Sequence, residues 1–154
     1  MRIRHVKLPV SDLRRSAAWY RELLGLSLAG EFAEAGVVRG VQLMHPSGFG
    51  IALRERAFCA GTPDLGGFDV FALEVDTVDE LHRIAAVATG MGAEISGVGD
   101  RGEYGAALDV IDPDGHVVRF LANNPFRADR FLGVDFDDAG GFAVYTEPTL
   151  PAQG

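Results

Sequence analysis

The chain has 154 residues, 47% of them hydrophobic and 23% charged, with a formal net charge of −8 at pH 7. That length suits one domain able to bury roughly 70% of its unfolded surface, and the composition is that of an ordinary globular protein. The acidic balance argues against nucleic acid or an anionic membrane surface as the main partner, and no apolar run is long enough to span a membrane.

The opening MRIRHVKLPV has no long apolar core and no small-residue cleavage site, so it does not read as a signal peptide. Cys59 is the single cysteine, which rules out an intramolecular disulfide and makes the cytoplasm the default location. RIRHVKLPV alternates and reads as a strand ending near Pro9. Ser11 or Asp12 caps a helix to about Leu24, with Leu13, Ala17, Tyr20 and Leu24 on one face, and Gly25 stops it. Three strand-like runs follow, LSLAGEFA, VVRGVQLMH and FGIALRE, and AFCAGTPDLGG (57–67) reads as a connector. Cys59 lies in that connector with no basic pattern around it, so it reads as a plain loop cysteine. Then the order repeats. FDVFALEV is a strand, and Asp76 or Thr77 caps a helix to about Gly90 with Val78, Leu81, Ile84, Ala85 and Ala88 as its apolar stripe. AEISGVG, YGAALDVI and HVVRFLA supply three more strands.

The halves align residue by residue. HVKLPV (5–10) lies over VFALEV (70–75), and PSGFGIAL (46–53) over PDGHVVRF (113–120). The expected fold is therefore α+β, with two repeated βαβββ modules, about 1–58 and 68–123, forming a concave curled sheet whose outer face carries the helices. Alternation sends Val6, Leu8 and Val10 toward the helix layer, and His5 and Lys7 into the concavity. By the repeat Val70 points there too, and Ala52 and Arg119 are equivalent to each other.

Residues 124–154 form an extension. FLGVDF and GFAVYTE, separated by DDAGG, read as a hairpin. Its Phe131, Phe136, Phe142 and Tyr145 are expected to pack, and PTLPAQG to fray. DFDD (135–138) reads as a solvated turn, since no EF-hand spacing surrounds it.

MRIRHVKLPVSDLRRSAAWYRELLGLSL resembles the opening of the vicinal oxygen chelate superfamily, which groups glyoxalase I, extradiol dioxygenases and bleomycin-resistance proteins. The marks are the strand with His5, the S-D-L helix start, the pair Trp19-Tyr20 and Leu-Gly-Leu after the helix; DPDGHVVRF is similar to the family's closing turn and strand. The resemblance covers about residues 1–123 and implies the same duplicated fold. In glyoxalase-like members, inward residues on the first, fourth, fifth and eighth strands hold a divalent metal. The resemblance puts His5, Ala52, Val70 and Arg119 at those positions, and only His5 can ligate. No metal and no cofactor are therefore expected. A slip of the fifth strand would offer Asp69 but would turn its core residues outward, and His116 opens the eighth strand on the face opposite Arg119.

Arg119 on so apolar a strand needs a partner. The candidates are Asp109, Glu103, or an anionic or carbonyl-bearing ligand. Trp19 and Tyr20 read as core packing, while His45 and His82 read as solvent-side residues. The resulting expectation is a metal-independent small-molecule binding protein of the bleomycin-resistance type, a homodimer. It would sequester or carry a ligand, for antibiotic resistance or biosynthesis, in a cavity formed by His5, Arg119, Ala52, Val70, Asp109 and Tyr104. Two alternatives stay open. One is an enzyme (lyase, isomerase or dioxygenase) that either uses other metal ligands or works metal-free, with His5 as acid or base and Arg119 stabilising an oxyanion. The other is a noncatalytic dimeric interaction module.

Overall fold

The computed structural model describes residues 3–124, 133–139 and 141–147. In the first module the alternating run becomes β1 (Val6–Val10), followed by α1 (Leu13–Leu24), β2 (Ser27–Glu34), β3 (Val37–Met44) and β4 (Gly50–Glu55). The second gives β5 (Asp69–Glu74), α2 (Val78–Gly90), β6 (Gly99–Asp100), β7 (Gly105–Ile111) and β8 (Val117–Asn123). Each module folds into a four-stranded mixed sheet, ordered β1-β4-β3-β2 and β5-β8-β7-β6. Its first strand runs parallel to its last and the remaining neighbours are antiparallel.

Side chains set the helix ends. The Asp12 carboxylate accepts from the Arg15 amide at 3.0 Å, and Gly25 ends α1 in the left-handed region. At α2, Thr77 Oγ1 accepts from the Glu80 amide while the Glu80 carboxylate accepts from the Asp76 amide, a reciprocal cap. The buried residues of α1 are Leu13, Ser16, Tyr20 and Leu23, and those of α2 are Leu81 and Ala88.

The duplication extends to register. Leu8 pairs with Leu53 and Lys7 with Ala52 in the first sheet; Leu73 pairs with Phe120 and Ala72 with Arg119 in the second. Two expectations need correction. AEISGVG yields only the short β6 and an isolated bridge from Ile95 to Val110, because Gly97 turns the chain with φ +78°. In β5 a bulge intervenes: Asp69 pairs with Val117 and Phe71 with Val118, so Val70 is the extra residue. Val70 therefore packs against the hydrophobic core instead of sharing the face of Arg119, which Asp69 and Ala72 take.

A single core spans both modules and includes Tyr20, Leu8 and Ile51 from the first and Phe120, Leu108 and Leu81 from the second. The Asp112-Pro113-Asp114-Gly115 turn joins them. Asp114 accepts from the Ser11 amide at 2.8 Å and from Ser16 Oγ at 3.2 Å, and Arg15 donates to the Pro113 carbonyl at 3.0 Å. Behind the turn, Tyr20 donates its hydroxyl proton to Asp112 Oδ2 at 2.9 Å, and His116 Nδ1 contacts the same oxygen at 2.9 Å.

In the extension, β9 (Gly133–Phe136) and β10 (Phe142–Tyr145) pair as an antiparallel hairpin. Asp137 Oδ1 accepts from the Ala139 and Gly141 amides, so that carboxylate is engaged by its own turn. Phe142 is 49% exposed. Phe131, the Phe136 side chain and PTLPAQG lie outside the described residues. Among the described residues no helix is long and apolar enough to cross a membrane.

Candidate functional site

On the inner face of the first sheet, register places Lys7, Ala52, Gln42 and Gly30 in one cross-strand row and Arg54, Gly40 and Phe32 in the next. These rows floor a cleft of about 540 Å³. The small residues make room for it. A Cβ on Gly30 would meet nothing within 4 Å, whereas one on Gly40 would come within 2.9 Å of the Leu53 carbonyl.

One wall carries two aromatic rings, each with a guanidinium against it. Arg39 lies over the Phe58 ring at 3.8 Å and Arg54 over the Phe32 ring at 5.0 Å. Both arginines are neutralised, Arg39 by Glu55 at 2.6 Å and Arg54 by Glu34. Arg54 also donates to the Phe58 carbonyl at 3.0 Å, which ties the connector to β4. His5 and Lys7 line the β1 side. The Nδ1 atom of His5 is buried without a hydrogen-bond partner among the described residues. Lys7 is exposed and has neither an ion-pair nor a hydrogen-bond partner there.

The second sheet holds a different arrangement. Asp109 grips Arg119 with both oxygens, Oδ1 on Nε at 2.8 Å and Oδ2 on Nη2 at 2.9 Å, and Asp69 accepts from Nη1 at 2.6 Å. The hydrogen bonds Arg119 donates to Asp109 hold the guanidinium above its ordinary range. Arg119 thus has protein partners on both sides and carries a net carboxylate excess around it.

The six residues read from sequence are divided between these places. His5 and Ala52 line the cleft. Arg119 and Asp109 belong to the ion cluster, and Val70 to the core side of the bulge. Tyr104 sits at the turn before β7, where its carbonyl accepts from the Asn124 amide at 3.4 Å. Lys7, which alternation had turned into the concavity, lines the cleft as well, with Phe32, Phe58, Gln42 and Arg54, which the sequence did not single out. The Phe32–Gly40–Arg54 row depends on the β2–β3 register, and that pairing contains two bulges.

The family's metal positions can be tested on these side chains. His5 offers a nitrogen and Ala52 only carbon; on β5 the bulge withdraws Val70 to the core and brings in Asp69, whose carboxylate is taken up with Asp109 in holding Arg119, itself a cation. This set does not fit a divalent cation. Among the described residues, no group of three or more His, Cys, Asp or Glu side chains is placed to hold a metal ion.

A family model described as Glyoxalase/Bleomycin resistance protein/Dioxygenase superfamily matches residues 2–120. No curated protein matches the chain in sequence. Among solved structures, a glyoxylase/bleomycin resistance protein/dioxygenase domain from Frankia sp. EAN1pec is similar at TM-score 0.67 and 23% identity, covering 80% of this chain and 98% of that one. A variant of the fosfomycin resistance protein FosX from Listeria monocytogenes, complexed with Mn(II) and a dihydroxypropylphosphonic acid, gives 0.65 and 15%, covering 81% and 94%. The antibiotic binding protein TnmS3 from Streptomyces sp. CB03234 gives 0.59 and 17%, covering 79% and 94%. At these identities the likeness is one of fold.

Proposed function

The chain belongs to the glyoxalase/bleomycin resistance protein/dioxygenase superfamily, and we propose that within it the protein is a metal-independent small-molecule binder. It sequesters or carries its ligand in the cleft of the first sheet. The observation that carries this reading is the donor set: at the positions where glyoxalase-like relatives ligate a metal, this chain has a carbon-only Ala52 and, in place of a carboxylate, the cation Arg119, which occupies the carboxylates of Asp109 and of Asp69, the residue the β5 bulge brings to that face. An open cleft remains without the chelating residues. TnmS3, an antibiotic binding protein, is a precedent for binding on this fold, and sequestration of an antibiotic is the role this favours. We place the protein in the cytoplasm, as its single cysteine suggests. We take it to be a homodimer, because Leu28 and Val37 stand 50% and 47% exposed along the β2–β3 hairpin.

The test is metal content by mass spectrometry after separate incubation with Zn, Ni, Mn and Fe(II) and desalting. Less than about a tenth of an equivalent is expected in each case. Near-stoichiometric metal that disappears in His5→Ala would overturn the reading. Light scattering on the same sample should give twice the chain mass of 16.4 kDa. A metal-free enzyme with His5 as acid or base is the second reading, favoured by the unpartnered Nδ1. Turnover that is lost in His5→Ala would select it.

A further inference from the structure

The cleft is uneven in charge and in shape, and both features bear on what it can hold. Phe32 and Phe58 are 58% and 42% exposed, although each has a guanidinium near its ring. Leaving two such rings in water is unfavourable, and a flat partner laid against them removes apolar area from solvent on both surfaces. The floor favours the same shape. Ala52, Gly40 and Gly30 project almost nothing above the sheet, so the cleft is a slot beside a ring-bearing wall.

The charges are sorted as well. Arg54 and Arg39 are cancelled by Glu34 and Glu55. Lys7 is not cancelled. It stands in the same cross-strand row as Ala52, and His5 lies two residues before it on the same side of β1. Glu31 is the remaining carboxylate of the lining, and strand alternation turns it to the face opposite its neighbours Gly30 and Phe32. The inner face therefore presents an uncompensated ammonium and an imidazole nitrogen lacking a partner, although the chain as a whole carries −8. At physiological salt the Debye length is about 8 Å, so the nearest groups outweigh the distant net charge.

We infer that the cleft takes a flat, conjugated organic anion, an aryl carboxylate or a phenolate, stacked along Phe32 and Phe58 with its acidic oxygen at Lys7 and His5. This deepens the proposed function and rests on the first-sheet cleft being the ligand site.

Four probes of matched skeleton separate the two features: naphthoate, its saturated analogue decahydronaphthoate, naphthylmethylammonium and naphthylmethanol. Affinity is read by titration calorimetry and location by amide NMR shifts. Naphthoate should bind about tenfold more tightly than each of the others, the ratio expected from one charge-assisted hydrogen bond or one good ring contact. Its shifts should centre on Gly30, Gly40 and Ala52. Lys7→Met should remove its advantage over the alcohol, and Phe32→Leu should reduce its advantage over the saturated acid. Both side chains are exposed, and an unchanged thermal midpoint confirms that the variants fold. Equal binding of the saturated acid or the ammonium within the cleft would overturn the ligand class and leave the binding reading standing. Failure of all four probes to shift any cleft resonance would overturn both.

Discussion

Asp112 is 4% exposed and accepts from Tyr20 Oη, from the His116 side chain, and from the amides of His116 and Asp114. A carboxylate can only accept, so the proton shared with His116 is assigned to Nδ1. Burial works against the charge of Asp112, but the bonds from His116 and Tyr20 outweigh it and hold the carboxyl below its ordinary 3.8. On the other side of the contact, burial beside Asp112 pushes the Tyr20 phenol well up, so it stays a donor. The pH consequence has a definite sign. Near pH 4 the unfolded chain binds more protons at this group than the folded one, so stability rises with pH there. The contribution is complete above the unfolded value and is lost as pH falls through the folded one. Asp112→Asn puts an amide among donors and should cost about 2–4 kcal/mol at pH 7. In urea unfolding, the variant should also lose part of the decline expected of the wild type below about pH 4. A variant with the wild-type acid slope would show that Asp112 is not the group responsible.

Gly25 and Gly105 both have positive φ, +65° and +103°, yet they should respond differently to alanine. At Gly25, after α1, an added Cβ meets nothing within 4 Å, so the cost is the backbone preference alone, about 1 kcal/mol. At Gly105, where β7 begins, the Cβ would fall 1.8 Å from the Ala122 carbonyl oxygen, on the paired strand. Gly105→Ala should therefore cost more than about 3 kcal/mol by urea unfolding, or prevent folding; equal costs at the two sites would contradict this register. The contrast also marks what the sequence could reveal about elements. Gly25 was readable because a helix stop follows from local pattern, as were the caps near Asp12 and Thr77 and the 2-residue alternation of β1 and β8. The β5 bulge was not readable, because Val70 satisfies either face by composition and only pairing with Val117 and Val118 decides which. Asp109 was among the partners weighed for Arg119, whereas Asp69 came within reach only through that bulge. The cleft wall was hidden for a related reason: Phe58 lies in a connector, and its place beside Arg39 is a tertiary fact.

The two modules are copies in register but not two folding units. Each sheet buries its outer face in one shared cluster, and the Tyr20–Asp112 and Ser11–Asp114 contacts cross between them. Removing either module would expose Leu8 and Ile51, or Phe120 and Leu108, all now within 2% of complete burial. At about 25 cal/mol per Å² that loss is several kcal/mol, comparable with the whole stability of a domain this size. The expected behaviour is one cooperative transition. The chain supplies its own local reporter, since its single tryptophan, Trp19, lies on α1 in the first module, edge-on to Tyr20 at 4.8 Å. Trp19 fluorescence should report first-module unfolding, and the proton resonances of His116, fully buried in the second module, should report the other half. In urea the two signals should share a midpoint and a slope at any one protein concentration. A Trp19 transition that precedes or follows loss of the His116 resonances would mean that the modules unfold separately. The Asp112 network would then be a contact between independent halves, and Asp112→Asn would shift only one of the two transitions.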